Sequence, residues 1–404
     1  MLRLLHESPA LRVAAAFGVG GVSFAVGSLM LARQLSTQDY GLVSLVIGIV
    51  SVATVVAPLG VDSAITRHGW LVGSQLRRIA LAASLFTAGV TAIIGWTLYA
   101  LPAFLLICLL VAAAAGGISQ VTAAHFQARR QFALSVALMQ APNWALGAAA
   151  ILTALAGTTA SAFPTATLAA TGLAIAVVGW RLVTRRTKQA EPLARPQGLW
   201  TEAIPLVTVT AASACFLQLE RLVIPAAVGI NALSLYGVLA ALVGSPFRMI
   251  QGGTAVTLVP RLREAATIQA RWHLLRREAV LLLVVMVAGS ALIWLLAPPI
   301  AHLILAGRYE LSTPLLLATI VSGFLKVVSA FAIATASTLA SARSLRLLSV
   351  GSWVCLGIGV AASFVASRWG LVGVLYGISF GWLVRCAMAT GISLSALRHL
   401  TAGR

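Results

Sequence analysis

Apolar residues in this chain come in runs of about 20, separated by short clusters of arginine, proline and polar side chains. The runs fall near residues 12–32, 41–63, 79–99, 102–124, 133–155, 162–183, 202–225, 234–258, 279–297, 314–338, 349–367 and 370–394. Each is long enough to cross a hydrocarbon layer of ~30 Å as a helix. The pattern therefore predicts an all-α polytopic membrane protein with about 12 transmembrane helices joined by short loops. No extramembrane domain of ordinary size fits in the 404 residues. The third and fourth runs are separated only by Leu101-Pro102, and the charges that follow require that hairpin. The first run, Val13 to Ala32, follows Arg3 and Arg12 in the charge order of a signal peptide. It is longer than the usual apolar region of such a peptide and reads as an uncleaved first span.

Composition agrees: 60% of residues are hydrophobic, 9% are charged and the mean hydropathy is +0.99. Against nine acidic residues stand 28 basic ones, a net charge of +19 that in a soluble chain would suggest nucleic acid. Here it reports topology. With the N-terminus cytoplasmic, 21 of the 28 fall in cytoplasmic loops and termini, and only Arg33, Arg308 and Arg368 fall opposite. That satisfies the positive-inside rule with both termini cytoplasmic and needs no nucleic-acid partner. Cys108, Cys215, Cys355 and Cys386 each lie in an apolar run without C-x-x-C or Cys/His spacing, so neither a disulfide framework nor a metal site is indicated.

The chain reads as duplicated. Tyr40-Gly41 opens the second run and Tyr236-Gly237 the eighth, 196 residues later, and each is followed by an apolar stretch ending in arginine. Six spans separate the pairs, an even number, so the halves share one orientation and are related by an axis along the membrane normal. The joint is the charged, proline-containing stretch 185–198. The expected organisation is a six-helix lobe over 1–184, a cytoplasmic linker over 185–200 and a second six-helix lobe over 201–404, around a central cavity.

Four cations belong to no loop: Arg221, Arg248, Lys326 and Arg385 lie inside predicted spans. A cation at a helix centre costs ~2.5–3.5 kcal/mol on insertion scales, so compensation is required. Glu220 is the one carboxylate well inside a C-terminal span and can neutralise only one of them. Arg385 continues a stripe of Gly373, Gly377 and Gly381 spaced by four, which places it on a closely packed helix face. Lys326 has Ser322, Gly323 and Ser329 on its face, and Arg248 has Gly244, Ser245, Gln251 and Gly252. These positions suggest cations converging on an internal aqueous cavity suited to an anion, phosphate in particular. Two structural alternatives stand beside this. Arg221 can pair with Glu220, and Arg248 can snorkel or bond carbonyls freed by Pro246.

Enzyme chemistry is poorly supported. The histidines have no metal-binding spacing and no set of reacting carboxylates shares a face. Without a GxxxxGK[ST] loop, ATP-driven transport is not indicated and no cofactor is implied. Ion coupling would fall to Glu220, with Asp62 second.

The stretch LARQLSTQDYGLVSLVIGIVSVATVVAPLGVDSAITRHG, 31–69, together with QLERL at 218–222, ALSLYG at 232–237 and LAGRY at 305–309, resembles bacterial polysaccharide-biosynthesis membrane proteins. These are the Wzx-type O-antigen and capsule flippases of the multidrug/oligosaccharidyl-lipid/polysaccharide (MOP) superfamily. The resemblance implies a MATE/MOP-like fold and a bacterial inner-membrane flippase. Its cargo would be an undecaprenyl-diphosphate-linked oligosaccharide, moved by alternating access, with membrane lipids and polysaccharide polymerase or assembly proteins as partners. Arg221, Arg248, Lys326 and Arg385 are the diphosphate-binding candidates by their own positions. The alternatives are a multidrug or metabolite antiporter of the same fold, and a membrane-embedded polymerase, ligase or pathway scaffold.

Overall fold

The computed structural model describes residues 9–187, 198–265, 267–339 and 342–402. Among them there is no strand, and the twelve apolar runs lie mostly on helix, the second being interrupted at residues 57–60. Residues 188–197, most of the predicted linker, lie outside the described residues.

The helices are α1 (Pro9–Gln34), α2 (Thr37–Val56), α3 (Val61–His68), α4 (Ser74–Tyr99), α5 (Ala103–Ala128), α6 (Phe132–Met139), α7 (Ala141–Ala156), α8 (Ala162–Thr187), α9 (Leu199–Leu217), α10 (Leu219–Val228) and α11 (Ile230–Leu239). After a π-helical turn, Ala240–Gly244, follow α12 (Ser245–Glu264), α13 (Ile268–Leu305), α14 (Thr313–Leu339), α15 (Ala342–Ala366) and α16 (Gly370–Ala402). Among the described residues nine segments are long and apolar enough to cross a membrane, or ten if the bent pair α6–α7 is one crossing. One of the nine, Arg343–Leu397, contains both α15 and α16, which are separated by a 3-10 turn at Ser367–Trp369 and packed on each other. This is a multi-pass membrane protein.

Proline sets the breaks. Pro142 lacks an N–H and crowds the carbonyl four residues back, so the fifth run bends by 54° at Gln140. The second run stops at Val56, ahead of Pro58. Gly60, at φ +82°, then lets the carbonyl of Ala203 approach where a side chain would sit. In the eighth run the π turn precedes Pro246 and re-houses the backbone that this proline disrupts. Ser245 Oγ donates to the Ala240 carbonyl at 3.3 Å.

The chain divides after Gly237 into two compact units. In the first, α5 packs against α2, α3, α4, α6 and α8, and its Ala-Gly run brings Gly117 against Ala57 and Ser84. The helices after the linker, α9 and α10, pack on α2 and α3, so the packing boundary falls later in the chain than the polar joint. The motif at 36–41 is a structural staple. Ser36 caps α2 by accepting from the Asp39 N–H at 3.0 Å, while Asp39 Oδ1 accepts the Ser161 N–H at 3.0 Å. Tyr40 shares a 2.6 Å hydrogen bond with Ser28, and its hydroxyl lies 2.8 Å from where a Cβ of Gly237 would be. The two Tyr-Gly pairs from which a duplication was expected therefore meet.

In the second unit α14 packs against α12 and α16, and α15 against α16. The glycine stripe does what its spacing suggested. A Cβ on Gly377 or Gly381 would stand 2.6 Å from the α15 backbone at Ser363 and Gly359.

Candidate functional site

The second unit brings two of the sequence candidates together. Continuing from the Gly377 and Gly381 contacts, Arg385 meets α15, where its Nε donates to Ser352 Oγ at 3.3 Å. Lys326 approaches from α14. Both come near Trp382, 1% exposed, with the Arg385 guanidinium 5.5 Å and the Lys326 ammonium 6.0 Å from its ring. Lys326 and Arg385 are 7% and 3% exposed. Two cations near one indole ring raise the local positive potential, since α14, α15 and α16 carry no aspartate or glutamate. Cys386 Sγ donates to the Leu325 carbonyl at 3.3 Å and ties α16 to α14 beside the pair.

The small face around Lys326 is used for packing. Gly323 receives the ring of Phe247 from α12, and Ser322 and Ser329 are buried. Arg248, one residue beyond Phe247, is half-buried.

Arg221 lies in the first unit, 1% exposed. Its NH1 donates to Gln218 Oε1 at 2.9 Å, its guanidinium sits 5.1 Å above Phe24, and a Cβ on Gly48 would come within 2.7 Å of its own Cβ. Glu220 is fully buried on the same helix. Asp62, half-buried on α3, lies outside the crossing segments. Burial raises its carboxyl to about 6, opposed by hydrogen bonding around Ser63 and its own backbone.

Sequence reasoning missed Phe24, Gly48, Ser352 and Trp382. Trp382 had a signal, three residues from Arg385 on one helix face, whereas the others reach their cations only through tertiary packing. His125 was also undervalued. It is fully buried at the end of α5, and its Nδ1 accepts the Val72 N–H at 3.2 Å, fixing the segment after α3. Among the described residues no group of three or more His, Cys, Asp or Glu could hold a metal.

A family model for polysaccharide biosynthesis proteins matches residues 30–314. The chain belongs to this family. No curated protein matches it at the level of sequence. Among solved structures, similarity extends over nearly the whole chain at low identity. An inward-facing multidrug resistance MATE family transporter of the MOP superfamily aligns with TM-score 0.62 and 14% identity, covering 95% of this chain and 96% of its own. The lipid II flippase MurJ, inward closed, gives 0.63 and 11%, covering 96% and 91%. A MOP superfamily transporter from Pyrococcus furiosus, described as having a binding pocket of reverse polarity, gives 0.59 and 14%, covering 97% and 96%. The fold of this polysaccharide biosynthesis protein is accordingly that of the MATE and MOP transporters.

Proposed function

We propose that this protein is a flippase of the bacterial cytoplasmic membrane, with both termini cytoplasmic. Its cargo is an undecaprenyl-diphosphate-linked oligosaccharide, delivered to the outer leaflet for surface polysaccharide assembly. Membership of a polysaccharide biosynthesis family supports the pathway, and the transporter fold supports the type of work. The observation that carries the substrate class is the Lys326–Trp382–Arg385 arrangement. Two cations held in low dielectric by helices without carboxylates favour an anionic head group such as a diphosphate. Arg248, half-buried on α12, is a further candidate for that head group. Arg221, held by Gln218 and Phe24, serves on this reading as a packing cation of the first unit. Glu220 is the candidate for coupling to an ion, with Asp62 second. The charge of the Trp382 arrangement disfavours organic cations, the cargo of a drug antiporter.

The test is leaflet accessibility of the lipid-linked saccharide in spheroplasts with and without the gene, read with an outer-face lectin or glycosidase. Accumulation of an inaccessible intermediate in the deletion strain is the expected result. An intermediate that reaches the outer face unpolymerised would place the protein later, as polymerase, ligase or scaffold.

A further inference from the structure

A groove of about 580 Å³ opens in the second unit between α13, α14 and α16. None of the cations assigned above to the head group lines it. Its walls are apolar, with Val328, Phe331 and Ala332 from α14 facing Leu394 and Leu397 from α16. Of the three hydroxyl side chains in those walls, Thr390 is exposed and the other two are engaged. Thr335 Oγ1 donates to the Phe331 carbonyl at 2.9 Å, and Ser393 Oγ to the carbonyls of Ala332 and Ala389 at 3.1 and 2.9 Å. The wall is therefore suited to a hydrocarbon chain and not to a sugar.

The α13 wall of the groove belongs to a helix that is little buried. Of its 38 residues only Leu275, Met286, Ala297, Ala301 and Leu305 are buried. Wall residues Val328 to Thr335 and Thr390 to Leu397 each cover seven helical steps, about 10 Å of depth. The rim is different in kind. Trp272, His273 and Arg276, all exposed, stand at one end, with Arg277 next along α13. No carboxylate lines the groove, and the neighbouring Glu278 is turned to Arg261 at 2.6 Å. An indole and a guanidinium above an apolar slot match the cross-section of a phospholipid at the membrane interface, with the chain below and the phosphate above. The cationic rim selects for net negative charge.

We propose that this groove binds an anionic phospholipid of the surrounding bilayer, one acyl chain between α13, α14 and α16 and its phosphate on Arg276. Arg276 is exposed, so Arg276→Ala tests the head group without disturbing the core. Ala332→Phe fills the slot, and Leu394→Trp at the exposed lip narrows it should the buried change prevent folding.

The experiment is native mass spectrometry of the purified full chain, titrated separately with phosphatidylglycerol, phosphatidylcholine and a polyprenyl phosphate. Phosphatidylglycerol should bind about tenfold more tightly than phosphatidylcholine, and Arg276→Ala should remove that preference. The slot variants should weaken both lipids, whereas Arg308→Ala, beyond the far end of α13, should change nothing. Equal binding of the two phospholipids, or a silent Arg276→Ala, would overturn the proposal. Preferential binding of polyprenyl phosphate would overturn it too, and make the groove a substrate subsite. Because binding is read without transport, failure here leaves the flippase reading untouched.

Discussion

Replacing Arg385 by methionine separates a ligand-binding cation from a structural one. The side chain loses a hydrogen bond to Ser352 at 3.3 Å, worth about 1 kcal/mol, and a desolvated cation–π contact with Trp382, worth about 2 kcal/mol. Against that, removing a guanidinium that is 3% exposed relieves a desolvation penalty of several kcal/mol. Methionine is flexible enough to fill most of the space. The net change in stability should therefore be near zero or favourable. Binding should respond differently. A charge-assisted bond to phosphate contributes about 1.5–3 kcal/mol, so affinity for a diphosphate-linked saccharide should fall roughly 10- to 150-fold. Thermal unfolding of the purified variant and titration with a short-chain polyprenyl diphosphate-linked sugar give the two numbers. Arg385→Lys, which keeps the charge but not the guanidinium fork, should fall between. A methionine variant that melts like the wild type and binds with undiminished affinity would refute the head-group assignment. One that unfolds would show that Arg385 is needed for packing.

Gly377→Val should break the α15–α16 hairpin, because the new Cβ would stand 2.6 Å from the Ser363 backbone, which cannot swing aside. The expected loss is at or above the top of the ~1–3 kcal/mol range for overpacking, seen as a lower melting temperature or poor recovery of folded protein. Gly48→Ala places a methyl 2.7 Å from Arg221 Cβ and should displace the guanidinium from Gln218 and Phe24, costing about 1–2 kcal/mol. A double-mutant cycle with Arg221→Ala should be non-additive, and simple additivity would show that the two do not interact. Asp62 binds its proton more tightly when folded, at about 6 against the ordinary 3.8, so its ionisation opposes folding. That penalty is absent well below pH 4, grows between about 4 and 6, and is complete above 6, at most about 3 kcal/mol before solvent screening of the half-buried group. Asp62→Asn should accordingly raise the melting temperature at pH 7.5 and progressively less at lower pH; an equal gain at pH 4.5 would point to another cause.

The sequence by itself determined that the protein crosses a membrane many times, because lipid leaves the backbone no other structure than helix once runs of about 20 apolar residues are present. It also suggested a duplication through Tyr40-Gly41 and Tyr236-Gly237, and it picked out Arg221, Lys326 and Arg385, which are buried among the helices, since a charge in an apolar run is conspicuous in one dimension. The glycine stripe ending at Arg385 was legible because a period of four maps onto one helix face.

Other features required the tertiary structure. Nothing local to Gly48 says that an arginine more than 170 residues away lies against it. Likewise nothing at Ser352 announces Arg385, nothing at Trp382 announces Lys326, and nothing at Gly323 says that Phe247 fills the space beside Lys326. The π turn before Pro246 and the break at Gln218 were hidden for a related reason: hydropathy registers that a run is apolar and long, not how its hydrogen-bond register is interrupted. Hydrophobic pattern reports a residue's solvent. Its neighbours are set by how helices of nearly uniform apolarity find shape-complementary partners, and that information is spread over residues far apart in the chain.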